Sequence, residues 1–151
     1  MAYERKEYRS PFLTTDIIIE HEDGKKKGIV LIERRNPPYG TALPGGFAEY
    51  GLSLEENAVK EALEETGLEV RLYTPEHPLC VKSEPFRDLR AHMVSVTYVG
   101  KGYGRISAGD DAKAARLYTL DEVKKIVKEK SMCFDHAEIL AEYLKQRGEI
   151  I

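Results

Sequence analysis

The sequence predicts an α/β (α+β) fold, a mixed β-sheet sandwiched by helices, in one domain spanning residues 1–151. Three observations predict it. A β-branched run near the start (Thr14, Thr15, Ile17, Ile18, Ile19) is followed by a turn and a second apolar run. A capped helical segment with a glycine stop fills the middle, Ser53 to Thr66. Short strand patterns then precede two helical segments at the end. At 151 residues the chain fits one domain and can bury a core without staples.

Each element follows from local chemistry. Leu13 to Glu22 reads as a strand, and Ile29 to Arg34 as its hairpin partner across the turn-like Glu22-Asp23-Gly24. Asn36 to Gly40 is a loop by composition, and Ala42 to Glu49 a glycine-broken extended segment. Ser53 with Glu56 makes a capping box, and Gly67 supplies a left-handed stop. Leu68 to Tyr73, Leu79 to Lys82 and His92 to Val99 read as strands, with Glu84 to Arg90 as a loop. Gly100, Gly102 and Gly104 are expected to form a turn. Ala115 to Tyr118 reads as a last short strand, before helices at Leu120 to Glu129 and Asp135 to Gln146. An Asp135/Glu138 capping pair is expected to open the second helix, and Gly148 to end it.

Composition excludes several functions. Hydrophobic residues make up 42% and charged residues 32%, which describes a globular chain rather than a disordered one. A net charge of −3 with both signs dispersed argues against a nucleic-acid partner, which needs a clustered basic face. No apolar run is long enough for a membrane helix, and Met1 to Ser10 lacks the apolar core of a secretory signal. Cys80 and Cys133 are expected to be buried free thiols in a cytoplasmic protein.

The chemistry concentrates on the central helix. Glu61, Glu64 and Glu65 stand at i, i+3 and i+4, so their carboxylates crowd one arc. A divalent cation turns that repulsion into attraction, and carboxylate oxygens suit Mg²⁺. The competing reading is a solvated acidic face supported by Glu56–Lys60 and Lys60–Glu64 pairs. Leu43-Pro44-Gly45-Gly46-Phe47 favours the ligand reading, because glycines at a strand-to-helix approach let backbone come close to a bound group.

With these residues in place, Gly46 to Leu68 resembles the Nudix box, G-x5-E-x7-R-E-U-x-E-E-x-G-U with U aliphatic. Gly46, Glu61, Glu64, Glu65, Gly67 and Leu68 fall on its positions. Leu52 stands where the box has Glu, and Lys60 where it has Arg. Lys offers a point charge rather than a bidentate fork. The two departures therefore suggest a weakened acid–base support, and Leu52→Glu with Lys60→Arg is expected to raise activity. The rest of the chain resembles the ADP-ribose pyrophosphatase branch. The segments that carry this likeness are Asp16 to Glu20, Leu31 to Pro38, Leu43 to Phe47, Ser83 to Asp88 with His92, and Ala108 to Lys113. Pro85 lies 17 residues beyond Leu68, near the proline of nucleoside-diphosphate-sugar members, whereas Leu89 departs from an expected proline.

The resemblance implies a Nudix α/β/α sandwich and hydrolysis of ADP-ribose, or a related nucleoside diphosphate sugar, to AMP and ribose 5-phosphate. It implies Mg²⁺, with Mn²⁺ as substitute, on Glu61, Glu64, Glu65 and the Gly45 carbonyl. The general base would be a box glutamate or an acidic loop residue. Asp110 and Asp111 are the loop candidates, with a solvated turn as the competing reading. Arg34, Arg35, Arg87 and Arg90 are candidate anion contacts, Arg34 and Arg87 foremost. Tyr39, Phe47 and Phe86 are candidate base-stacking residues, with core packing the default for Phe47. The histidines show no metal spacing, and His92 is expected to make a structural hydrogen bond, with a substrate contact as the competing reading. A homodimer is implied, with residues 1–10 as an N-terminal arm available for exchange. The rival readings are a Nudix enzyme acting on nucleoside triphosphates and a catalytically weak ADP-ribose-binding protein. Only 83 residues follow the box, which the fold itself is expected to use, and this disfavours an appended DNA-binding region.

Overall fold

The computed structural model describes residues 8–109 and 112–149. Most of the proposed N-terminal arm, and both Asp110 and Asp111, lie outside the described residues. Eight strands and three helices are present among those described: β1 Phe12–Asp23, β2 Lys26–Arg34, β3 Thr41–Ala42, β4 Gly45–Phe47, α1 Leu54–Thr66, β5 Glu69–Leu72, β6 Cys80–Lys82, β7 Met93–Tyr103, β8 Ala112–Thr119, α2 Leu120–Glu129 and α3 His136–Gln146. The strands form one mixed sheet with the path β3-β2-β1-β7-β5. Off that path, β4 pairs with β1, β6 with β7 and β8 with β2. Only the β1–β7 ladder is parallel among these pairings.

The period-2 alternation of β1 sorts its side chains between two layers. Ile17 and Ile19 join Ala58 and Ala62 of α1 in one buried cluster with Val30, Leu68 and Leu117. Ile18 turns the other way, to Val123 and Val127 of α2 and to Ile139, Leu140 and Leu144 of α3. The expected sandwich therefore forms, with α1 on one face and α2 and α3 on the other. The first helix keeps its reciprocal capping box, Ser53 with Glu56, and its left-handed stop at Gly67 (φ 75°). The hairpin also forms, with Gly24 at φ 60° between β1 and β2.

Three expectations change. Gly100 and Gly102 are not a turn: they continue β7, pairing with Leu72 and Val70 of β5. The reason is space. A Cβ on Gly100 would stand 2.7 Å from the Arg71 carbonyl oxygen, and one on Gly102 would stand 2.8 Å from a methyl of Ile19. These glycines mark close packing rather than reversal of the chain. The Asp135/Glu138 cap is absent as well, since Asp135 is the N-cap residue of α3 but makes no side-chain cap bond. Its carboxylate is taken by Arg87. Cys133 is buried and free as expected, whereas Cys80, also free, is only half-buried on the short strand β6.

The sheet splits at its centre. Along Ile19–Asp23, β1 pairs with β2; along Thr14–Asp16 it pairs instead with β4. Beyond that point β2 pairs with β3 through Ile32 and Glu33, while β8 runs along its other edge from Gly28 to Arg34. The strap Leu43-Pro44 crosses the gap, and Ile17 N–H donates to the Pro44 carbonyl at 3.0 Å. The divergence of two strands that share one neighbour opens a cleft.

Candidate active site

That cleft is a cavity of about 240 Å³. Its walls come from four places: Thr14 and Asp16 of β1, Ile32 and Arg34 at the end of β2, the Leu43–Phe47 strap with Glu65 of α1, and the loop residues Arg87, Asp88, Arg90 and Phe134 with His136. The box and the loops therefore converge, although they are distant in sequence.

The three glutamates are not equivalent. Glu65 is buried in the cavity wall, and its Oε1 accepts from the Gly45 amide at 3.2 Å. The Glu61 carboxylate lies against Gly46, so close that a Cβ there would stand 2.7 Å from it. Glu64 is half-exposed and bonded to Lys60 at 2.9 Å. Among the described residues, no three His, Cys, Asp or Glu side chains already stand at metal-holding separation. The donor set nevertheless fits a hard cation. Glu61 and Glu65 supply carboxylate oxygens beside the glycines of β4, Glu65 bonded to the Gly45 amide and Glu61 in the space that a side chain on Gly46 would fill.

Lys60 departs from the expected loss of support. Its ammonium is hydrogen-bonded to Glu49 as well as Glu64, and these two bonds push its pKa up. Glu49 stands three residues before Leu52, whose side chain is partly exposed, so a carboxylate from the same segment partners Lys60. Asn57, wholly buried on α1, holds the same segment. It accepts from the Glu49 amide and donates to the Phe47 carbonyl and to Thr15 Oγ1. Sequence reading passed over Asn57. An amide among the apolar positions of a helix was the available signal, because burying it demands partners.

Asp16 was also missed as a site residue. It sits on a buried strand, its carboxylate accepts from Ser95 Oγ, and His136 Nε2 lies 3.6 Å from Oδ1. Burial pushes its carboxyl up, but His136, Ser95 and Arg87 outweigh that and hold it below the ordinary aspartate range. His136 in turn accepts the Leu43 amide on Nδ1 at 3.0 Å. That bond leaves Nε2 as the ring N–H, facing Asp16. The strap leading to Gly45 is thus pinned from the opposite layer.

The arginines divide by partner. Arg87 makes a two-pronged ion pair with Asp135, through Nε at 2.8 Å and also through Nη2. Arg90 chelates Asp88 in the same loop, with Nη2 at 2.8 Å. Burial pushes the Asp88 carboxyl up, and its bonds to Arg90 reverse that, leaving it below its ordinary range. Arg34 donates to the Pro38 carbonyl at 2.9 Å and has no carboxylate partner among the described residues. Arg35 is not among the lining residues. Phe47 is not core: it is half-exposed, lines the cavity and stacks edge-on against Phe12 at 5.8 Å. Tyr39 and Phe86 are exposed. His92 makes the expected structural bond, to the Ser83 carbonyl at 3.0 Å. Gly109, next to the undescribed Asp110 and Asp111, donates to the Glu65 carbonyl at 3.2 Å.

Known proteins share this fold. The NUDIX domain family matches residues 11–143. An ADP-ribose pyrophosphatase of Methanocaldococcus jannaschii is 38% identical over 93% of this chain and 78% of its own length. A MutT/nudix family protein of Enterococcus faecalis superposes with a TM-score of 0.78 at 29% identity, covering 95% of this chain and 64% of that one. A bifunctional NMN adenylyltransferase/ADP ribose pyrophosphatase of Francisella tularensis, solved with AMP and a manganese ion, gives 0.76 at 25% identity over 94% of this chain and 43% of that one. The chain thus spans most of the archaeal relative but less than two thirds of either solved chain. A mixed sheet between helices and a glycine strand against the Glu61 and Glu65 carboxylates accompany a family match over nearly the whole chain, and the chain belongs to the Nudix hydrolase family, in its ADP-ribose pyrophosphatase-like branch.

Proposed function

We propose that this protein hydrolyses the diphosphate of ADP-ribose, or of a related nucleoside diphosphate sugar, to AMP and ribose 5-phosphate, with Mg²⁺ as its cation and Mn²⁺ able to replace it. One observation carries the reading. A cavity lined on one side by Glu65 and by Gly46, against which the Glu61 carboxylate lies, has on another side Arg34, an arginine without a carboxylate partner among the described residues. A diphosphate needs both, a cation shared with carboxylates and a guanidinium for its remaining charge.

Glu61, Glu65 and the Gly45 carbonyl would hold the cation, with Glu64 alongside. When bound, it supplies Lewis acidity toward the phosphoryl oxygens. The chain's own groups do the remaining work. The Gly45 amide orients Glu65, and Arg34 binds phosphate charge. The base is a box glutamate, with Asp110 and Asp111 as the loop alternatives. Arg87 contributes positive potential while paired with Asp135. The cavity is smaller than the roughly 300–1,000 Å³ usual for ligand pockets. It suits the diphosphate, with the nucleoside end lying on adjoining surface, where Phe47 and the groove of Phe12, Pro85, Phe86 and Leu89 offer aromatic and apolar faces. That groove shares Asp88 with the cavity. Its exposed apolar residues also support a homodimer, which light scattering during gel filtration tests. We place the protein in the cytoplasm, without nucleic-acid or membrane partners. No described helix is long and apolar enough to cross a membrane.

The deciding experiment is product chromatography after incubation with ADP-ribose, ADP-glucose and nucleoside triphosphates, each with MgCl₂ or MnCl₂. AMP and ribose 5-phosphate from ADP-ribose are expected. Pyrophosphate release from triphosphates alone would assign the rival sanitising activity. Tight ADP-ribose binding without AMP release would assign a sensor.

A further inference from the structure

Phe134 stands between α2 and α3 with φ 55°, a left-handed conformation that is costly for a bulky residue. Such strain persists only where the surroundings over-determine it, and it collects at ligand clamps. Two guanidiniums from different parts of the chain meet this one ring. Arg34, from the end of β2, has its Cζ 5.1 Å from the ring centroid, and Arg90, from the loop before β7, has its Cζ 4.9 Å away. The His136 ring lies against it at 5.1 Å. All four residues line the cavity.

The charges do not cancel. Arg90 is balanced by Asp88, but among the described residues Arg34 meets only carbonyl oxygens and the ring. Gathering two like charges around one aromatic ring is unfavourable in itself, and it becomes favourable when an anion binds beside them. We infer that Phe134 is a positioning residue that holds Arg34 and Arg90 as a clamp on the diphosphate of the substrate, an inference that rests on the hydrolase reading above. The ring removes rotamer freedom from both arginines before binding, so its loss weakens affinity rather than chemistry. The neighbouring residues brace the same junction. Cys133 contacts the Tyr39 carbonyl, Asp135 holds Arg87, and His136 holds Leu43.

The test is steady-state kinetics on ADP-ribose for Phe134→Leu and Phe134→Tyr, with melting temperatures measured alongside. Phe134→Leu is expected to raise KM about fivefold to tenfold with kcat within about twofold, and Phe134→Tyr, which keeps the ring, to restore KM. An unchanged KM in the leucine variant, or equal KM increases in both variants, overturns the clamp. A double-mutant cycle with Arg34→Gln checks the route, because the arginine substitution should cost less once the ring is gone. Additive effects overturn it. The cycle is repeated with inorganic pyrophosphate by calorimetry, which requires no turnover. If the wild type releases no AMP, the hydrolase reading fails, and the clamp stands or falls on this titration. Weaker pyrophosphate binding in Phe134→Leu supports it, whereas equal or undetectable binding in both proteins overturns it.

Discussion

Replacing Asp135 by alanine separates two accounts of why that residue is there. If Asp135 only capped α3, its loss would cost about 1 kcal/mol, and serine would substitute for it. The structure assigns it a different partner. Its carboxylate meets Arg87 in a two-pronged ion pair whose side chains are 6% exposed on the arginine and 14% on the aspartate. Removing one member of a buried pair strands the other charge, at a cost of about 3–5 kcal/mol. Arg87 keeps some compensation from the charges of Asp16 and Asp88, so the lower end applies, about 3 kcal/mol. For a chain of this length that is a fall of about 6–12 °C in Tm. Differential scanning calorimetry and urea titration of Asp135→Ala and Asp135→Ser decide the matter. Both variants are expected to fall together. A loss under about 3 °C in alanine, or recovery by serine, would refute the ion-pair account and restore the cap.

Three further outcomes are expected. Glu65→Gln should lower kcat on ADP-ribose at least about a hundredfold while leaving the fold intact, and wild-type turnover in that variant would remove Glu65 from the site. Leu52→Glu with Lys60→Arg should bring no gain, against the expectation from sequence, because Glu49 already partners Lys60; a rise beyond about threefold in kcat/KM would show that the support was weak after all. Acid sensitivity follows from Asp88, whose folded-state pKa is depressed, so its stabilisation is present above the unfolded value near 3.9 and is lost as pH falls through the lower folded value. The Tm gap between wild type and Asp88→Asn should therefore be wide at pH 7 and close below about pH 4, and a gap independent of pH would contradict the assignment.

What could be read from the sequence was local. Ser53, Glu56 and Gly67 define α1 through contacts within a few residues, and Ile17, Ile18 and Ile19 announce a strand buried on both faces. The helical spacing of Glu61, Glu64 and Glu65 was legible for the same reason, but their division was not: Glu65 is buried in the cavity wall, whereas Glu64 is half-exposed on Lys60. What could not be read depends on contacts across the fold. Asp135 looks like a cap until Arg87, 48 residues away, claims it. Gly100 and Gly102 look like a turn until β5 is laid beside them. Asp16 carried a readable warning, a charge inside a β-branched run, but its partners Ser95 and His136 come from β7 and α3, and no local pattern names them.

The contact between β1 and α3 explains how so remote a helix can serve the cavity. Asp16, Ile18 and Glu20 alternate onto one face of β1, while His136, Leu140, Tyr143 and Arg147 follow one another along α3 and its C-cap. The middle of this contact is apolar, Ile18 clustering with Leu140 and Tyr143, and apolar surfaces tolerate sliding. The ends do not. Asp16 faces His136 at one end, and at the other Glu20 accepts from the Tyr143 hydroxyl and from Arg147 Nη1, with Tyr73 adding a bond at 2.8 Å. Moving the helix by one turn would unpair both ends at once, stranding the buried Asp16 and His136, where an unpaired group costs more than a paired one contributes, and breaking the more exposed bonds of Glu20. Polar contacts at two ends therefore fix a register that the apolar centre leaves loose. The position of His136, and with it the Leu43 strap and the start of β4 at Gly45, is set partly by a carboxylate four residues along β1 from the cavity residue Asp16.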